Sequence, residues 1–200
     1  MLTISDEVPD VEGYLALEAA ASAPYTGFVF DDPAQASAVA HALFTAGAGE
    51  FSAPHARVAL ADGRLLGMVT APLTQRELSR TRFQAARVMM PLIEAATGVR
   101  ERSALARATL AALGDGDVYL SRIAVAPDAQ RRGVGQALLD WFLAEARARG
   151  GRRAVLEVAD ESAAARQLYE RAGFAAGAAH AVDDPASGRR LAYTHLTLAL

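Results

Sequence analysis

Arg131, Arg132, Gly133 and Gly135 stand where a strand pattern, Ile123 to Val125, gives way to a helical one. The first turn of a helix leaves backbone N–H groups without intrahelical partners, and glycine leaves them unshielded. The helix dipole puts its positive end there, and the two arginines add full charges, so the set suits a pyrophosphate. Two phosphate-binding patterns fail. A dinucleotide fingerprint needs G-x-G-x-x-G directly after its strand, but Leu138 holds the third glycine position and the polar loop Pro127 to Arg132 intervenes. A nucleotide P-loop ends in Gly-Lys-Ser/Thr, and the chain contains no lysine. Taken alone, Gln130 to Gly135 also reads as a glycine-containing loop that only starts a helix.

The elements that must position this loop are legible around it. Gln136 to Arg149 continues the helix, with apolar residues at 134, 138, 141, 142 and 146 on one face, and Gly150-Gly151 stops it. Arg153 to Val158 reads as a short strand. Ser162 to Ala172 reads as a second helix, capped by Ser162 or Asp160 and closed by Gly173. Upstream, helices are expected near Val11–Ser22 and from Pro33 to Ala46, with Asp32 as cap and Pro33 at the first helical position. A hairpin follows, Ala56–Ala61 and Arg64–Thr70 about an Asp62-Gly63 turn. The first strand is either Leu2–Ile4 or Thr26–Phe30. Phe174–Val182 and Arg190–Leu200, around a polar turn, read as two closing antiparallel strands.

Gln130-Arg131-Arg132-Gly133-Val134-Gly135 resembles the Q/R-x-x-G-x-G/A acetyl-coenzyme A signature of the GNAT family of N-acetyltransferases. Leu156-Glu157-Val158, Ala165, Leu168-Tyr169 and Gly173-Phe174 follow in the order and spacing of that family's L-x-V…N-x-x-A-x-x-L-Y-x-x-x-G-F block. The resemblance covers Val118 to about Phe174. It implies an α/β (α+β) acyl-CoA N-acyltransferase fold: one domain over 1–200, with a mixed central sheet, helices on both faces, and an opening between two strands for pantetheine. It also implies a set of contacts to acetyl-coenzyme A. These are Ile123, Ala124 and Val125 on the strand, then Gln130, Arg131, Arg132, Gly133, Val134, Gly135, Gln136 and Ala137, with Ser162 and Tyr169 beyond. Ser162 replaces the family's frequent asparagine and lacks an amide's paired donor and acceptor.

The implied reaction is acetyl transfer to a primary amine of a small molecule or peptide. An amine of pKa near ~10.4 is mostly protonated at neutral pH and must lose a proton before it attacks. The family resemblance maps the proton donor for the leaving thiolate onto Tyr169, and a backbone N–H at Ile123 or Val125 onto the developing oxyanion. With no cysteine in the chain, attack is direct. The strand position that often holds the family's catalytic glutamate is Tyr119 here. Asp117, Glu157 or a water chain remain as the base, and Glu50 and His55 lie toward the acceptor side. Tyr119 also leaves a second class open, a non-catalytic coenzyme A-binding sensor or dimerisation module.

Family members usually pass from the hairpin to the next strand by a short turn. Here about forty residues, Thr74 to Leu113, intervene as a helical insertion (about 74–114) before the coenzyme-binding strand. Leu78, Phe83, Ala86, Met90 and Ile93, then Leu105, Leu110 and Leu113, form an apolar stripe that Gly98 splits into two helices. Core packing, a homodimer contact or a lid over the acceptor are its readings.

Composition narrows the class. The net charge is −3, yet the first 56 residues carry eight acids and no arginine. That asymmetry reads as ordinary solvated faces or as an acidic half that helps hold a cationic acceptor. With no basic run and no interleaved aromatics, nucleic acid is not expected as a partner. No apolar run approaches the ~18 residues of a membrane span, and the acidic start is not a basic export signal, so a cytoplasmic protein is expected. Histidines 41, 55, 180 and 195 lack ligand spacing, so no metal is expected.

Overall fold

The computed structural model describes residues 1–94 and 96–200. Ala95, inside the 74–114 segment, lies outside the described residues. Strand β1 (Thr3–Ser5) is followed by helices α1 (Val11–Val29) and α2 (Pro33–Thr45), then by the hairpin β2 (Ala56–Ala61) and β3 (Arg64–Thr70). Next come β4 (Leu73–Thr74), α3 (Gln75–Ile93), α4 (Val99–Arg107), β5 (Asp117–Tyr119) and β6 (Ile123–Val125). The chain closes with α5 (Val134–Ala148), β7 (Arg153–Ala159), α6 (Ala163–Arg171), β8 (Ala175–Asp183) and β9 (Arg190–Ala199).

Four strands pair in the order β1-β2-β3-β6 and five in the order β4-β5-β7-β9-β8. Among the described residues only β5 and β7 run parallel. The two sheets share the run from Asp117 to Val125, which changes partner halfway. Leu120 gives the last bond toward β7, its N–H on the Val155 carbonyl at 3.0 Å. Thr70, fully buried, then takes over: its hydroxyl accepts from the Ser121 and Arg122 N–H groups at 3.2 and 3.1 Å. The kink is thereby satisfied on the β3 side, and β6 departs from β7. An opening between β6 and β7 results.

Alternation along the strands feeds two cores, one on each face. Val58 and Met68 pack under α1 and α2, together with Ile93, Val99 and Ala106 from α3 and α4. Ala59 and Val69 face the other way, toward Leu138, Leu139 and Phe142 of α5 and toward Leu156 and Val158 of β7. Since Leu156 and Val158 point to the α5 side, Glu157 between them points to the α1 side. This one-residue alternation decides where the candidate base lies.

Two expectations are corrected, and the first strand falls at the N-terminal of its two expected places. Helix α1 does not stop at Ser22; it continues past Pro24 to Val29, so Thr26–Val29 is helix with Phe28 and Val29 buried, and no strand forms there. The first strand is Thr3–Ser5, paired with Val58–Leu60. In α3 the apolar stripe is rotated: Phe83 is 66% exposed and Met90 38%. Phe83 lies five residues past Leu78, about 140° around the helix. The inward face instead carries Leu78, Thr81, Ala85, Met89 and Ile93. Among the described residues no helix is long and apolar enough to cross a membrane.

Helix α3 starts with a reciprocal cap, in which Glu77 N–H donates to the Thr74 hydroxyl while the Glu77 carboxylate accepts from Thr74 N–H at 2.9 Å. Thr74→Ala is expected to cost about 1 kcal/mol, lowering the melting temperature by about 2–4 °C in a thermal scan. An unchanged melting curve would mean the helix is held from its other contacts alone.

Candidate active site

Bonding along β6 alternates in direction. Arg122 and Ala126 bond to β3: the Arg122 carbonyl accepts from Thr70 N–H at 3.0 Å, and Ala126 N–H donates to Leu66 at 2.9 Å. Ala124 pairs with Met68 between them. The N–H groups of Ile123 and Val125 therefore face the other way, into the opening between β6 and β7.

Beyond β6 the chain makes a single turn of 3₁₀ helix, Pro127–Ala129, with Ala129 buried. Arg131 (φ 59°) and Gly133 (φ 82°) then adopt left-handed backbone and reverse the chain into α5. Gly133 caps α5 with no side-chain bond. Among the described residues nothing accepts from the N–H groups of Gly133, Val134, Gly135 or Gln136. The space before Gly133 is open, since a Cβ there would meet nothing within 4 Å. A Cβ on Gly135 would touch Val125 at 3.4 Å and Leu168 at 3.5 Å, so this helix end abuts both β6 and α6. Arg131, Arg132 and Gln136 are exposed beside it, Gln136 spending its amide on Asp140 at 2.8 Å. Ala137 continues the first turn, its N–H on the Gly133 carbonyl.

Ser162 and Tyr169 line the same cleft from α6, as Ile123, Ala124, Val125 and Gln130 do from the β6 side. Neither expected cap holds. Ser162 stands at the N-cap without a side-chain bond, and Asp160 is drawn off by the Thr194 hydroxyl at 3.0 Å from β9. The Ser162 hydroxyl is left for the cleft. Tyr169 is 6% exposed, packs on Phe174 with ring centroids 5.6 Å apart, and burial pushes its phenol far above the usual tyrosine value. Its proton stays on oxygen at any working pH.

On the α1 side of the opening the chemistry is ionic. Tyr119 donates its phenolic proton to Glu157 at 2.5 Å, and Ala111 N–H donates to the other carboxylate oxygen. Burial raises the Glu157 pKa, and these two bonds and His195 only partly offset it; Glu50 raises it further. Glu50 behaves oppositely. Burial alone would raise it, but Arg82, Arg122 and the Ser121 hydroxyl together hold it below the ordinary value. Arg82 bonds Glu50 at 2.5 Å and lies over the Tyr119 ring, 5.6 Å from its centroid. Arg122 bridges Glu50 (3.9 Å) and the buried Glu18 (3.3 Å). Two neighbouring carboxylates are thus driven apart, one fixed as an anion and one with raised proton affinity, which is how an acid–base site assigns its roles.

The remaining sequence candidates are elsewhere. Asp117 is held by both ends of Arg153 at 2.7 Å and by Gly114 N–H, and those bonds lower its pKa. It does not line the cleft. His55 meets the Thr81 hydroxyl at 3.3 Å, and its partial burial lowers its pKa; it too is outside the lining. Glu50, an open choice in the sequence, sits at the centre. Arg82, Ser121, Arg122 and Glu18 were missed. They come from α3, the kink before β6 and α1, up to 104 residues apart, and no spacing signal links them.

The segment 74–114 takes part as well. Arg82, Ala85, Ala86, Met89, Arg107 and Leu110 line the cleft, while the Thr109 hydroxyl donates to the Ala106 carbonyl at 2.7 Å and the His195 ring meets the Thr109 carbonyl at 2.9 Å. Together with Ala111 on Glu157, this wires the exit of α4 to the carboxylate.

The model of the Acetyltransferase (GNAT) family matches residues 19–174. A mycothiol acetyltransferase of Beutenbergia cavernae is 48% identical over 66 residues, 33% of this chain and 22% of that protein. A ribosomal protein bS18-alanine N-acetyltransferase of Escherichia coli is 49% identical over 58 residues, 29% of this chain and 39% of that protein. The matched stretch thus spans well under half the length of these curated relatives. The crystal structure of an N-acetyltransferase from Staphylococcus aureus superposes with a TM-score of 0.71 at 14% identity, covering 98% of this chain and all of that one, which shows a shared fold. With the family match running from α1 to the end of α6, this chain belongs to the GNAT acetyltransferases.

Proposed function

We propose that this protein transfers an acetyl group from acetyl-coenzyme A to a primary amine by direct attack, with Glu157 as the base. The observation that carries this is the opening between β6 and β7, with unpartnered N–H groups at one side and a carboxylate of raised pKa at the other. A diphosphate fits the α5 N-terminus, where free N–H groups, a helix dipole and two exposed arginines coincide. Gly133 to Gln136 would hold the phosphates, and Ile123, Val125 and Ser162 the arm leading inward. The coenzyme supplies the acetyl group as an activated thioester.

The residues of the chain do the rest. Glu157 takes the proton from the acceptor ammonium and, beside the phenol of Tyr119, stabilises it in the cleft. Ile123 and Val125 N–H groups can donate to an acyl oxygen. Tyr169, its proton held on by burial, serves the leaving sulfur as a hydrogen-bond donor. The non-catalytic alternative rested on Tyr119 at the family's glutamate position. A carboxylate from the next strand, bonded to that same phenol, supports catalysis instead.

Release of free thiol from acetyl-coenzyme A in the presence of a panel of amines tests the proposal. Tyr169→Phe is expected to slow turnover about ten- to a thousandfold and to leave coenzyme affinity unchanged, the loss of a positioned proton donor costing up to ~10⁴. Equal turnover would leave Tyr169 a packing residue for Phe174.

A further inference from the structure

We infer that the acceptor is an amine with a single polar end and a bulky apolar body, an inference that rests on the acetyl-transfer reading above. The cleft, which the coenzyme arm shares along Ile123, Val125 and Ser162, has a volume of about 1040 Å³, so a small-molecule chamber remains beside the arm. A dense polar group sits at the β6–β7 opening, Glu157, Tyr119, Glu50, Arg82 and Arg122, while Arg107 and Glu161 also reach the lining. Tyr25 and Tyr193 line this end too, and each feels the Arg122 charge. An ammonium placed there meets a carboxylate and aromatic faces.

The walls contributed by α1, α2 and α3 are of another kind. Leu15, Val39, Leu43 and Met89 face the space, and most positions between them are alanines, among them Ala20, Ala40 and Ala86, with aliphatic hydroxyls only at Ser22, Thr26 and Ser37 among the described residues. Alanine on three facing helices leaves room that larger side chains would fill, and interiors are otherwise close-packed. The charged residues on these walls are already paired: Glu12 with His41 at 3.4 Å, Glu18 with Arg122, Arg82 with Glu50. An extended peptide laid along such walls would bury its N–H and C=O groups against methyls, each at a desolvation cost. A hydrocarbon or aromatic body meets no such cost. Met89 lets the wall adapt to its shape.

The test uses straight-chain primary amines from propylamine to octylamine, whose ammonium groups are alike and whose apolar bodies differ. With the full-length protein and acetyl-coenzyme A, kcat/KM from thiol release is expected to climb about three- to fourfold per methylene until the chamber is full. Ala86→Phe should bring the plateau several carbons earlier. A flat series, or a short peptide amine that outperforms octylamine, would overturn the inference. Calorimetric binding of octylamine against propylamine in the presence of coenzyme A gives the same comparison without chemistry. If both amines go unacetylated but octylamine binds far more tightly, the acetyl-transfer reading has failed and the apolar chamber stands. If octylamine binds no better, the chamber is refuted as well.

Discussion

Glu157→Gln is expected to lower kcat at neutral pH by about a hundred- to ten-thousandfold, the range for removing a positioned base. The substitution keeps the shape; its one oxygen can accept from Ala111 N–H while the Tyr119 hydroxyl turns to accept from the new amide, so coenzyme affinity and the melting curve should hold. The pH profile provides the sharper check. Burial raises the Glu157 pKa above 4.5, so the proton-accepting form is present above that raised value and lost as pH falls through it. Wild-type kcat/KM should therefore show an acid limb above the ordinary glutamate range, and the Gln variant should lack it. An unchanged kcat and an unchanged limb would reduce Glu157 to a tie between Tyr119 and the Ala111 loop, with the base to be sought in a water chain.

Gly133→Val and Gly135→Val should each weaken acetyl-coenzyme A binding by at least about tenfold, for different reasons. At Gly133 the backbone sits at φ 82°, which costs an L-residue about 1–2 kcal/mol, and the new side chain would stand in the open space before the free N–H groups. At Gly135 the Cβ itself is tolerable, but the γ-methyls of valine would be driven toward Val125 and Leu168. That contact would push α5 away from β6 and α6. Arg131→Ala should cost far less, since an exposed charge is readily replaced by water and salt. Calorimetric titration of the folded variants decides it. Affinities equal to wild type in both glycine variants would remove the loop as the phosphate cradle.

The local elements were legible because their causes are local. The hairpin falls at Ala56–Ala61 and Arg64–Thr70, as the alternation and the Asp62-Gly63 turn require. Asp32 caps α2 with Pro33 at its first position, accepting from Ala34 N–H at 2.8 Å. The register of the stripe in α3 was only partly legible: Leu78 and Ile93 follow from the spacing, but several apolar residues offered more than one face, and only packing in the folded protein selects Ala85 and Met89 over Phe83 and Met90. The length of α1 was equally hidden: Pro24 looks like a stop, yet the burial of Phe28 and Val29 carries the helix past it.

The sequence by itself determined the loop from Gln130 to Gln136, the order of blocks up to Phe174 and hence the family, since glycine at a left-handed turn and an amphipathic helix start are written in a few adjacent residues. It also named Glu157 and Glu50 without separating their roles. Tertiary structure decided that separation. Glu50 is an anion because Arg82 and Arg122 arrive from α3 and from the kink before β6. Glu157 has its proton affinity raised because burial costs a charge more than Tyr119 and Ala111 return. A carboxylate's pKa depends on what lies within a few ångströms, and those neighbours are set by how distant segments pack, not by their spacing along the chain.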